Sequence, residues 1–286
     1  MVELSWFVYA IFAAISYGIF LSLYKMPSSK NQSKFLISFI QHIVGLIISL
    51  VFFFNHIYPV SKEGLLLSLT IAVLFVSLSL SQMYTLKYIN TSSLFPITTT
   101  GSLVLAVLGG LFLFGERISL VNFLGIFLVI AIIFGFIYQG KKIKYSAQIL
   151  FIISALISIS AVIKIFQKFI ADSISIPTFL IYEHLFASLL LIPLVFLFHK
   201  KDLKQALTKR SFITGSFVGL FGFLGFYTLL TALSKGPLTL ISPIQSTYIL
   251  VTAIVSAILY KEKLTKRTIL LILLAVLSIF LIKFNF

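Results

Sequence analysis

Apolar runs of about twenty residues, each closed by a short polar or basic stretch, set the pattern of this chain. Read at that period, the sequence predicts ten spans, at roughly 5–24, 35–54, 64–86, 92–114, 119–138, 147–168, 177–198, 212–234, 239–259 and 267–283. Each run is continuous and long enough for a helix to cross about 30 Å of hydrocarbon. Transmembrane barrels instead use segments of roughly ten residues with alternating polarity, and the pattern here excludes them. The fold class is therefore an all-α membrane protein with ten transmembrane helices. The opening MVELSWFVYAIFAAISYG lacks a basic n-region and reads as a retained first span. Connections are short, and the longest, His199 to Ser211, is basic and reads as an interfacial helical turn.

The pattern occurs twice. The segment from Ser92 to Leu120 has a counterpart from Leu240 to Thr265, matching Pro96 to Pro243, Thr100 to Thr247 and, after a one-residue slip, Glu116 to Glu262. Gln41-His42 matches Glu183-His184 at an offset of 142, which also places Ser16 on Ser158 and Gly18 on Ser160. The chain thus divides into two five-helix halves, 1–140 and 145–286. An odd number of spans per half forces the second half to enter the membrane upside down. This 5+5 inverted-topology repeat is an architecture typical of secondary transporters, whose sites lie at the midplane between the halves.

Composition agrees with this reading. Hydrophobic residues make up 60% and charged residues 10%, where soluble domains carry about 25% charged residues; mean hydropathy is +1.14. The net charge of +15 lies in short loops, where lysines serve as topology signals and headgroup contacts rather than as a nucleic-acid surface. Sixteen Lys and Arg, from Lys25 to Arg267, fall on one predicted side and five on the other: Lys62, Arg117, Lys168, Lys235 and Lys283. The positive-inside rule then puts both termini outside. There is no cysteine, which excludes disulfides and Cys-based metal or redox sites.

A set of motifs then points to a family. Tyr17-Gly18 lies near the middle of span 1 with Lys25 seven residues on, and span 3 ends in Tyr84-Thr85-Leu86-Lys87-Tyr88. Span 4 has Pro96 near its start and Gly115-Glu116-Arg117 at its end, and span 5 opens with Gly125. In order and doubling, these resemble the ten-helix EamA-type members of the drug/metabolite transporter superfamily, with one EamA-like repeat in each half. The second half departs in places: Ser160 stands for Gly18, Lys261 for Gly115, and span 10 has no glycine like Gly125. The resemblance implies alternating access around a central cavity in a plasma (inner) membrane. It also implies substrates ranging over amino acids, nucleotide sugars, nucleosides, polyamines and cationic drugs. For bacterial members it implies cytoplasmic termini, against the charge count.

Polar groups inside a span are costly and mark candidate chemistry. Pro96 and Pro243 each remove a backbone hydrogen bond and kink their helices. Hydroxyls and amides follow: Thr98, Thr99 and Thr100 in one half, Gln245, Ser246, Thr247 and Tyr248 in the other. They either line a cavity and bind substrate, or re-satisfy backbone and join helices. Glu183 is the one acid deep within a predicted span. With His42 and His184 it either carries a coupling proton, holds a cationic group, or forms a structural hydrogen-bonded pair between spans 2 and 7. Lys164 reads as a snorkelling lysine on the face it shares with Lys168, the alternatives being a pair with Glu183 or contact with an anionic substrate. Tyr17, Tyr84 with Gln82 and Ser81, and Tyr227 with Thr228 form polar-aromatic patches suited to a small ligand. The glycines Gly101, Gly109 and Gly110, and the run Gly215, Gly219, Gly222 and Gly225, read as packing surfaces. Glu116 and Glu262 read as span-end anchors or gate salt bridges.

There is no Walker loop, GxSxG or HExxH, and the four histidines are scattered. No enzyme, ATP-driven pump, cofactor, metal or nucleic-acid partner is expected. The expectation is a secondary active or exchange transporter of a small polar or amphipathic metabolite, with the bilayer and protons as partners, as a monomer or homodimer. The alternative is a non-transporting multi-pass protein on the same fold.

Overall fold

The computed structural model describes residues 5–24, 33–56, 61–85, 91–137, 147–199, 208–260 and 266–283. Among these residues every regular element is a helix. The first half supplies α1 (Trp6–Leu23), α2 (Lys34–Phe53), α3 (Lys62–Thr85), α4 (Thr91–Leu113) and α5 (Leu120–Ile137). The second supplies α6 (Ala147–Ser173), α7 (Ile176–His199), α8 (Lys209–Leu233), α9 (Leu238–Ser246), α10 (Tyr248–Tyr260) and α11 (Lys266–Lys283). Helices α9 and α10 together make one span. Among the described residues eight spans are long and apolar enough to cross a membrane, and α5 and α11 carry two shorter apolar stretches, Leu120–Gly135 and Ile269–Lys283.

Local chemistry sets several helix starts. Ser33 Oγ accepts from the Leu36 amide at 3.2 Å, and Thr208 Oγ1 accepts from the Ser211 amide at 3.1 Å. Before α5, Ser119 and Asn122 cap one another reciprocally, each side-chain oxygen accepting from the other's amide at 3.2 Å. Each cap occupies amide donors that the helix itself leaves unpaired.

Packing shows the repeat as a two-fold relation. Helix α2 packs on its own equivalent α7, and α5 on its equivalent α11. Around them the contacts come in matched sets: α1 on α8 as α6 on α3, α2 on α8 as α7 on α3, and α4 on α6 as α10 on α1. The halves therefore interlock. Small residues permit the close approach. A Cβ on Gly219 would sit 2.8 Å from the Gln41 carbonyl oxygen, and one on Gly125 would sit 3.0 Å from the Ile282 amide nitrogen. At that second crossing Asn122 Nδ2 donates to the Ile282 carbonyl at 2.8 Å.

Phe52, Phe112 and Phe151 are exposed, as expected of lipid-facing positions. Two element boundaries differ from expectation. Helix α6 runs to Ser173 rather than ending near 168, because Lys168 pairs with Asp172 one turn on at 2.9 Å and the charges there do not stop the helix. The predicted ninth span breaks at Thr247. Most lysines behind the charge count, Lys25, Lys87, Lys141 and Lys200 among them, lie outside the described residues, as do Glu262 and most of the segment read as an interfacial turn.

Candidate functional site

Between the halves lies a cavity of about 130 Å³. That is similar to the ~150 Å³ space that accepts benzene in an engineered protein core. Helices α1–α4 and α6–α10 all contribute to its wall, while α5 and α11 stand outside.

One side is aromatic. Tyr17 and Phe20 come from α1, Phe75 from α3, and Phe223 and Phe226 from α8. Tyr17 packs edge-on to Phe20 at 6.0 Å and Phe75 edge-on to Phe226 at 5.0 Å. Glycines make room for this wall: Gly222 abuts Phe20 and Gly225 abuts Tyr17. Gly219 and Gly222 also line the cavity, so the α8 stripe is more than a packing surface.

The proline-bearing helices form a second side. Helix α4 continues through Pro96. In the other half the chain breaks four residues after Pro243, and Thr247 takes a tight turn at φ −67°, ψ −4°. Non-helical backbone at this depth is tolerated where protein or a cavity surrounds it. Thr98, Thr99, Gln245 and Tyr248 all line the cavity. The hydroxyls of this segment pair with backbone or join helices. Thr98 donates to the Leu94 carbonyl at 3.0 Å, Thr100 to the Pro96 carbonyl at 2.8 Å and Thr247 to the Ile244 carbonyl at 2.6 Å, so these three satisfy backbone. Thr99 and the Tyr248 hydroxyl share a short hydrogen bond that joins α4 to α10 across the halves.

The doublets meet at the two-fold. His42 Nδ1 lies 3.3 Å from His184 Nδ1. Glu183 Oε2 lies 2.9 Å from His184 Nδ1, and Glu183 Oε1 lies 3.9 Å from His42 Nδ1. All three side chains are buried. The Glu183–His184 contact is close but off the line along which a ring N–H donates. Neither carboxylate oxygen accepts a well-aligned hydrogen bond. Their ligating atoms lie within 4.8 Å of one another, the one group among the described residues with a donor set for a metal ion. The histidines are scattered in the sequence, and the fold brings two of them together. Beside them Tyr24 donates to Gln41 Oε1 at 2.7 Å.

Lys164 does not sit as a snorkelling partner of Lys168. It lines the cavity on the face of α6 formed by Ser160, Ile163, Lys164 and Gln167. Its Nζ lies 3.4 Å from Ser246 Oγ. Lys168 instead reaches Asp172, the Leu233 carbonyl at 2.8 Å and the Gly236 carbonyl at 3.2 Å, which ties α6 to the α8–α9 turn.

Two expected ligand contacts lie elsewhere. Tyr84 is exposed, and Gln82, two residues earlier and so about 200° away on the helix, lines the cavity in its place. Tyr227 stacks on Phe223 at 6.2 Å and packs against Phe53, behind the aromatic wall. Glu116 is no gate salt bridge among the described residues. Its carboxylate accepts from the Leu238 and Thr239 amides at 2.7 and 2.8 Å, capping α9 where Pro237 provides no side-chain cap. Sequence reasoning found Tyr17 but missed Tyr24, Gln167 and the phenylalanines of the aromatic wall. A polar stripe at Ser160, Lys164 and Gln167, spaced four and three, was the legible signal for α6.

The EamA-like transporter family model matches twice, over residues 4–138 and 146–284. No curated protein matches the sequence. A solved crystal structure of a protein, 12% identical in sequence, superposes over 96% of each chain with a TM-score of 0.77; at that identity the likeness is one of fold. The chain belongs to the EamA-like transporter family, and with it to the drug/metabolite transporter superfamily.

Proposed function

We propose that the protein is a secondary active or exchange transporter that moves a small polar or amphipathic metabolite by alternating access. The observation that supports this most is the cavity between interlocked inverted halves, lined by polar and aromatic side chains from eight of the ten spans. In this reading Tyr17, Thr98, Thr99, Gln245 and Tyr248 contact substrate. Pro96 in α4 and the break after Pro243 supply the bending points for rocking between states. Glu183, His42 and His184 form the proton-carrying group: a buried carboxylate between two imidazoles exchanges a proton with little movement of heavy atoms. Proteoliposomes loaded with a metabolite panel test the reading. Substrate-specific flux driven by a proton gradient or by counter-substrate is expected, and no flux for any compound under any imposed gradient would overturn it.

A further inference from the structure

Among the described residues Lys164 is the only lysine or arginine on the cavity wall. Among the described residues no carboxylate lies within ion-pairing distance of its Nζ, and the polar neighbour it reaches is the Ser246 hydroxyl. The acid described on the cavity wall, Glu183, is engaged with His184 and His42. A lysine some nine residues inside the end of a membrane-spanning helix is costly unless something compensates it. Lys168, one turn on, has found carbonyls and an acid, whereas Lys164 faces open space.

Its surroundings fit an anionic head. Gln167 and Ser160 flank it on α6, and Gln245 approaches from α9. These neutral groups can donate hydrogen bonds without cancelling a charge. The aromatic side built on Phe20, Phe223 and Phe226 completes a site with one cationic, hydrogen-bonding side and one apolar side. One lysine without an acidic partner matches one carboxylate. A phosphate dianion would call for further cations, which the wall does not provide. The cavity size matches a body of about benzene dimensions.

We propose that the cavity takes a small organic monocarboxylate with a compact apolar or aromatic body, its carboxylate on Lys164 and its body against the aromatic wall. This rests on the transport reading for its purpose, but it concerns binding and is tested without flux.

Purified protein in nanodiscs, at mildly acidic pH, is titrated calorimetrically with benzoate, phenylacetate and 4-methylpentanoate. The uncharged benzamide and the cation benzylamine serve as isosteric controls. The carboxylates are expected to bind and the two controls to bind roughly tenfold more weakly or worse. Lys164→Gln is expected to lose carboxylate binding by a similar factor, and Lys164→Arg to retain most of it. The order among the five ligands on the unaltered protein decides the matter even if a variant fails to fold. Benzylamine binding as well as benzoate, binding of none of the three carboxylates, or unchanged benzoate affinity in a folded Lys164→Gln protein overturns the proposal. Carboxylate binding without flux in proteoliposomes would sink the transport reading alone. Flux of a cation without carboxylate binding would sink this proposal alone.

Discussion

Gln41 and Glu183 hold the same place in the two halves, yet one is neutral and the other a buried acid. The difference follows from their neighbours. Tyr24 donates its hydroxyl to Gln41, and the residue at the same offset of 142 in the second half is Phe166, which has no hydroxyl. Glu183 therefore depends on His184 and His42 for compensation, and an uncompensated carboxylate at this depth would be costly. If this group carries the coupling proton, transport by the unaltered protein varies with pH across the range where the imidazoles and the carboxylate exchange protons. Glu183→Gln is expected to flatten that dependence. His42 on α2, His184 on α7 and Tyr17 on α1 are the other titratable groups close to it, and pH dependence that persists in the variant would move the role to one of them. Tyr248 makes a second residue-scale contact across the halves, to Thr99. Tyr248→Phe is expected to lower stability by about 1 kcal/mol, read as a fall in melting temperature, without loss of fold.

At the scale of elements, the most informative joint is the one between α4 and α9. Gly115 adopts φ +63°, a left-handed conformation that suits glycine, and it turns the chain so that Glu116 reaches the first amides of α9. A carboxylate at a helix N-terminus gains both hydrogen bonds and a favourable dipole interaction. Glu116→Ala is expected to cost about 1–2 kcal/mol, measured by thermal unfolding in detergent, with Glu116→Gln in between. An unchanged melting temperature in the alanine variant would show that water replaces the cap. The sequence marked Glu116 as important because of its doubling, but read it as an anchor or gate salt bridge. Its true acceptor role needed the Leu238 and Thr239 amides, which are over 120 residues away in the chain.

For the whole molecule, a near two-fold frame carries an asymmetric cavity. Among the described residues the lysine and the glutamate on its wall, Lys164 and Glu183, both come from the second half, and their first-half counterparts at the same offset are Ser22 and Gln41. Loop charge predicts the orientation. The sixteen-to-five distribution of Lys and Arg favours both termini outside. A reporter fused after Phe286 is expected to be accessible from outside, and a cytoplasmic signal would restore the orientation usual for the family.

The sequence by itself determined the class, the ten spans and the doubled, inverted plan. Those features depend on hydropathy over twenty-residue windows and on an odd count, and both are local or additive along the chain. It also pointed to Thr99, Tyr248, Glu183 and the histidines, because polar groups are rare inside spans and each stands out. Only the tertiary structure decided which of these face one another. Helix rotation sets whether Gln82 or Tyr84 reaches the cavity, and packing of α2 on α7 sets the meeting of His42 with His184. Whether Lys164 runs to the interface or turns into the cavity depends on its neighbours across helices. Such contacts join residues 80 to 150 apart, and no periodicity within a single span encodes them.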